Sequence, residues 1–169
     1  MNPKYIVYTS ETGHSLRYAR MLSEKLDLSA IPLDEAINSV ERNTEIIYIG
    51  WLFANSIKGY KKACKLFNIT CTVAVGLCPT GELLQEVRRT NSISDTAPLF
   101  TVQGGMDREK LQGINKFMIN TLVKVLKMNK KPSDEDREKL RLIEAGGDFV
   151  SEDNLTAILK FYNENGDKI

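Results

Sequence analysis

The chain is poor in the residues on which most enzymes build acid–base or metal chemistry. Of its 169 residues one is histidine, three are cysteine and one is tryptophan. Cys64, Cys71 and Cys78 form no C-x-x-C pair, and His14 alone does not complete a recognisable metal set with them. They read as buried reduced thiols, with Cys78 an ordinary loop thiol. One histidine without a serine partner in view argues against triad hydrolysis. No apolar run approaches the length that crosses a bilayer. Met1-Asn2-Pro3-Lys4 enters a strand without a signal-peptide pattern, so a cytoplasmic protein without a transmembrane segment is the expectation. Strong charge of either sign is lacking as well. The net charge of +1 gives no electrostatic case for nucleic acid. Internal repeats and low-complexity segments are absent.

What is present is ordinary in amount and informative in order. Hydrophobic residues make up 42% and charged residues 27%, as in soluble globular proteins. One domain over 1–169 is expected, with a core at 1–128 and a helical extension at 129–169 packed on it. The extension carries seven Lys/Arg against ten Asp/Glu, a formal −3, which leaves +4 on the rest.

The chain is organised around Tyr8-Thr9-Ser10-Glu11-Thr12-Gly13-His14-Ser15. This stretch follows the apolar run Tyr5-Ile6-Val7-Tyr8 and opens a helical pattern near Ser15. A strand, a hydroxyl-rich turn and a helix in that order make an anion site. The first helical amides have no carbonyl partner, and the helix dipole adds partial positive charge there. Ser10, Thr12 and Ser15 offer neutral donors around the same point, and Gly13 permits a positive φ or a close backbone approach. No lysine follows, which excludes a nucleoside-triphosphate loop, and the turn is not G-x-G-x-x-G. A plain Ser/Thr turn that caps a helix is the competing reading.

Strands and helices then alternate. Leu16, Ala19, Leu22 and Leu26 recur at helical spacing. Leu28 to Leu33 is a short strand whose Pro32 belongs at a sheet edge, followed by a short polar helix. Ile46 to Gly50 and Cys71 to Gly76 are apolar runs of the kind covered on both faces. Ile57 to Phe67 reads as a helix exposing Lys58, Lys61, Lys62 and Lys65. Glu82 to Arg89 reads as another, Pro98 to Val102 as the last strand, and about Arg108 to Lys127 as the crossover helix covering the sheet through Leu111, Ile114, Met118, Leu122 and Val125. Ser133 caps a helix through Glu144, and Ser151 caps a final helix that docks through Leu155, Ile158, Leu159 and Tyr162. Alternation of this kind predicts an α/β fold, a three-layer doubly wound five-stranded parallel sheet with right-handed crossovers. The weak second strand suits the order 2-1-3-4-5, in which ligands sit between strands one and three. The Ser10 loop and Gly50-Trp51 then become neighbours.

Ser10-Glu11-Thr12-Gly13-His14-Ser15 resembles the FMN-phosphate loop of the flavodoxin superfamily, [ST]-x-T-G-x-[ST]. The resemblance implies a flavodoxin-like fold with a C-terminal helical extension, and FMN as cofactor, its phosphate held by these six residues. It also implies that the segment after strand three, Trp51, Leu52, Phe53 and Ala54, meets the flavin ring, with Trp51 stacked on it. The turn Leu77-Cys78-Pro79-Thr80-Gly81 after strand four would line the other side through its amides. Gly104-Gly105-Met106, the helix from Lys116 to Lys127, and Gly146-Gly147-Asp148 are similar in spacing and character to the bacterial menaquinone-dependent protoporphyrinogen dehydrogenases. That likeness implies an FMN oxidoreductase whose partner or substrate is a quinone or a tetrapyrrole. Lys58, Lys61, Lys62 and Arg88-Arg89 read as solvated faces or as receivers of tetrapyrrole carboxylates. Electron-carrier flavodoxins are generally acidic, unlike this chain, and there is no glycine between Trp51 and Lys58. Both departures favour two-electron chemistry over a one-electron shuttle. Lys110, Lys116, Lys124 and Lys127 allow peripheral membrane contact. A flavin-free module that binds a protein partner is the alternative from another class.

Overall fold

Continuous burial of Ile46–Gly50 and Cys71–Val75 leaves no solvent-facing side on the two central strands, which parallel pairing with helices on both faces requires. The computed structural model describes residues 1–107 and 109–165. In chain order these form β1 (Tyr5–Tyr8), α1 (His14–Leu26), β2 (Ser29–Pro32), α2 (Leu33–Ser39), β3 (Glu45–Phe53), β4 (Ser56–Ile57), α3 (Tyr60–Cys64) and β5 (Asn68–Gly76). There follow α4 (Leu84–Thr90), β6 (Leu99–Gln103), β7 (Gly105–Met106), α5 (Gly113–Met128), α6 (Asp134–Ala145), β8 (Gly147–Asp148), a 3-10 turn (Glu152–Leu155) and α7 (Thr156–Asn165). The sheet runs β2-β1-β3-β5-β6 with every one of these pairs parallel. The α/β fold is compatible with a flavodoxin-like arrangement. A sixth strand, β4, pairs antiparallel with the end of β3.

Two apolar layers hold the sheet. Ile6, Ile47, Ile49 and Val73 pack on Tyr18 and Leu22 of α1 and on Leu155, Ile158 and Tyr162 near the C-terminus. On the other face Val7, Ile46, Tyr48 and Ala74 meet Leu33, Ala36, Ala63 and Val87 from α2, α3 and α4. Each large side chain buried in this way contributes about 1.5–3 kcal/mol.

Three expectations give way to the observed packing. The helix expected over Ile57–Phe67 is replaced by β4 and the short α3. Ala54 (φ 47°) and Asn55 (φ 62°) are both left-handed, which closes a two-residue hairpin and keeps Trp51–Phe53 within β3. Lys58 accordingly lies beyond β4 rather than on a helix face.

The crossover helix also departs from expectation. Its expected start at Arg108 lies outside the described residues, and α5 begins at Gly113. Ile114 and Val125, expected on the sheet, are 72% and 60% exposed. The reason is the pairing of β7 with β8, Gly105 opposite Asp148 and Met106 opposite Gly147. The chain leaves the sheet at Gly104 and returns to the same point, where the Phe149 amide donates to the Gly104 carbonyl at 2.7 Å. The returning segment, not α5, then covers the face beside α1. The boundary at 128/129 divides α5 from α6, which share one apolar cluster through Ile119, Val123, Leu140 and Ile143.

The third concerns polar side chains. Of the thiols read as buried, Cys71 is buried and Cys64 is exposed. Arg88, read as solvated, is buried and donates to the carbonyls of Ser94 and Ala97. Capping follows the sequence. Ser133 forms a capping box with Asp136 at the start of α6, and Ser151 accepts from the Asp153 amide at 3.2 Å at the start of the 3-10 turn.

Candidate functional site

The turn after β1 presents the start of α1 to a cavity of about 390 Å³, a size usual for small-molecule sites. Gly13 caps α1 with φ 97°, a conformation that costs glycine nothing and a side chain about 1 kcal/mol. The Leu16 amide donates to Ser10 Oγ at 3.3 Å, which leaves the Ser10 hydroxyl proton for another acceptor. Thr12 Oγ1 and His14 Nδ1 lie 2.9 Å apart. Among the described residues the amides of Glu11, Thr12, Gly13, His14 and Ser15 have no acceptor. Ser15 is 1% exposed, and its hydroxyl has no hydrogen-bond partner. Such a group costs about 1–3 kcal/mol unless something satisfies it. Ser15 lines the cavity, as does His14 beside it; among the described residues the one Lys or Arg of the lining is Lys139, from α6.

The hairpin β3–β4 forms the second wall. Trp51, Leu52, Phe53 and Ala54 all line the cavity. Trp51 also borders an outer hollow shared with Ser10, Gly13 and Lys58, so it stands as a partition between the two. The Lys58 ammonium sits 5.3 Å from the Trp51 ring centroid and 5.4 Å from that of Phe53, within cation–π reach. Asn91, which the sequence gave no reason to single out, latches the hairpin to α4. Its Oδ1 accepts from the Ile57 amide at 2.8 Å, and its Nδ2 donates to the Asn55 and Val87 carbonyls at 2.8 and 2.7 Å.

Of the turn after β5, Leu77 and Cys78 line the cavity, whereas Pro79, Thr80 and Gly81 are exposed and stand outside its wall. Thr80 Oγ1 instead accepts from the Gln103 amide at 3.0 Å and donates to Asn154 Oδ1 at 2.7 Å. The Gly81 amide donates to the Thr101 carbonyl at 3.0 Å. These contacts tie the turn to β6 and the C-terminal segment. Glu11 lines both cavity and outer hollow and is half-buried. The fourth wall is the α5–α6 hairpin, which brings Leu111, Ile119, Leu122, Leu126 and Ile143 to the cavity, with Asp136 and Lys139 as its polar members.

A clasp fastens the segment that follows this hairpin to the start of α1. Arg17 donates to the Asp148 carboxylate, and His14 Nε2 lies 4.0 Å from the same group. Burial is the largest single influence on Asp148 and opposes its ionisation, but the Arg17 hydrogen bond, the Val150 amide and the positive charge of Arg17 and His14 together outweigh it and hold the carboxyl below its usual range. Burial lowers the His14 pKa, partly offset by Asp148 and reinforced by Arg17. The unfolded chain therefore takes up this proton first as pH falls, since its pKa is the ordinary 6.5. Stability from His14 is complete above that pH and is lost as pH drops below it toward the folded value. The thermal midpoint should fall across that window, and His14→Gln should flatten the fall. An equal slope in both proteins would remove His14 as the cause.

Among the described residues no cluster of His, Cys, Asp and Glu could hold a metal ion, and no helix is long and apolar enough to cross a membrane. No protein-family model, no curated protein and no solved structure matches the chain.

Proposed function

We propose that the protein binds FMN and is a flavodoxin-like oxidoreductase working by two-electron transfer. The buried, partnerless Ser15 hydroxyl beside unpaired amides at the start of α1 carries this reading. A dianionic phosphate satisfies all of these donors at once, where water would leave the helix dipole uncompensated. Ser10, Thr12 and Ser15, with the amides of Glu11 to Ser15, would hold the phosphate. Trp51, Leu52 and Phe53 on one side and Leu77 and Cys78 on the other would bound the ring. The bound flavin supplies the capacity to take up and return two electrons. The chain's own part is to orient the substrate against it and to exclude water, which the apolar face of α5 and α6 does. That wall suits an apolar substrate such as a quinone or a tetrapyrrole. His14, hydrogen-bonded to Thr12 and packed near Asp148, orients the loop.

Purified protein titrated with FMN is expected to quench flavin fluorescence and retain the visible flavin band through gel filtration. Folded protein that neither quenches nor retains FMN would overturn the reading, and the flavin-free partner-binding module would replace it.

A further inference from the structure

Helix α5 has two apolar faces, and the cavity uses only one of them. Ile119, Leu122 and Leu126 line the cavity wall. Ile114, Phe117, Val125 and Met128 are exposed by 72%, 69%, 60% and 70%. Their spacing of three, eight and three, with Thr121 between, places them on one stripe of the helix, pointing away from the cluster formed with α6. Four large apolar side chains on one exposed stripe are more than scattered surface hydrophobics.

We propose that this stripe docks α5 on an anionic lipid surface. The charge around it selects that occupant. Residues 113–131 carry five lysines, Lys116, Lys124, Lys127, Lys130 and Lys131, and no Asp or Glu. Lys127 pairs with Glu144 of α6 at 2.5 Å, and the others are exposed. On the helical projection Lys124 lies next to Phe117 at the margin of the stripe. An apolar stripe bordered by Lys124, with Lys130 and Lys131 just beyond its Met128 end, matches acyl chains beneath anionic headgroups. A second copy docked face to face would bring lysines against lysines, which opposes self-association through this stripe. The same helix walls the cavity, so only one helix diameter, about 10 Å, separates the docked surface from the site.

The test uses the full chain, with and without FMN, and vesicles of equal parts phosphatidylglycerol and phosphatidylcholine. The protein should sediment with these vesicles whether or not flavin is bound, and at least about tenfold more weakly with phosphatidylcholine alone. The double variant Phe117→Asp/Val125→Asp, its fold checked by circular dichroism, should lose about tenfold or more of the binding. Lys124→Glu/Lys131→Glu should lose binding to the anionic vesicles only. No sedimentation with anionic vesicles, or binding indifferent to both double variants, would overturn the proposal. So would a dimer that Phe117→Asp/Val125→Asp dissociates in the absence of vesicle binding, which would assign the stripe to a second copy. Loss of FMN binding alone would leave these outcomes unchanged.

Discussion

Ser15→Ala is expected to make the flavin-free protein more stable and the FMN complex weaker. The Ser15 hydroxyl is buried with no partner, so the free protein bears the cost of desolvating it. Deleting it without adding bulk should recover about 1 kcal/mol in urea unfolding of the flavin-free form. In the complex that hydroxyl would donate to a phosphate, and a hydrogen bond to a charged group is worth about 1.5–3 kcal/mol. FMN affinity should therefore fall about ten- to a hundredfold. Riboflavin, which has the ring and no phosphate, should bind both proteins within about twofold of each other. The opposed signs separate a ligand-directed hydroxyl from a structural one. Equal losses for FMN and riboflavin would show that the substitution damages the cavity itself. Unchanged FMN affinity would remove Ser15 from the phosphate site.

The parts of this arrangement that were legible in the sequence are those set by local chemistry. The apolar runs of β1, β3 and β5 lie in parallel register, with Tyr5 beside Ile46 and Ile46 beside Ile69. Pro32 ends the edge strand β2 and leads into α2. Gly13 takes the positive φ that was one of the two uses the turn-to-helix pattern allowed it. The misreadings arise where tertiary pairing overrides local pattern. Ile57 and Lys58 fit a helix by spacing, yet the Ile57 amide finds its acceptor 34 residues on, in the Asn91 side chain. No local rule anticipates that bond. Helix α5 carries a readable sign of its different place. Ile114, Phe117, Val125 and Met128 form a second apolar face, more than a helix covering one side of a sheet needs. What sent this helix to the cavity was the two-residue pairing of β7 with β8, far below the length at which period-two alternation can be recognised. The cavity wall from Leu111, Ile119, Leu122 and Ile143 followed from that pairing, so it was hidden with it.

Gly59→Ala is expected to cost about 3–7 kcal/mol, a large share of the ~5–15 kcal/mol that stabilises a domain of this kind. Gly59 caps α3 at φ 77°. It sits where the ends of β1 and β3 meet α2, beneath the hairpin that carries Trp51. A methyl group there would collide with the Tyr48 hydroxyl, and would lie 2.7 Å from Thr9 Cγ2 and 2.8 Å from Leu33 Cδ2. Tyr48 has no room to yield. It is fully buried, burial pushes its pKa well up, and its hydroxyl donates to the Lys58 carbonyl at 2.7 Å. Moving it would strand a buried hydroxyl, at about 1–3 kcal/mol. To this are added about 1 kcal/mol for the left-handed backbone and ~1–3 kcal/mol for overpacking. Thr9 Oγ1 donates to the same carbonyl at 2.9 Å, so the disturbance reaches the residue just before the Ser10 loop. Urea unfolding of the variant should show a midpoint lowered in proportion, and FMN affinity should fall with it. Tyr48→Phe in the Gly59→Ala background should recover part of the loss, because it removes both the colliding atom and the stranded donor. A stability loss under 1 kcal/mol in Gly59→Ala would mean that the junction relaxes as a unit and that Tyr48 does yield.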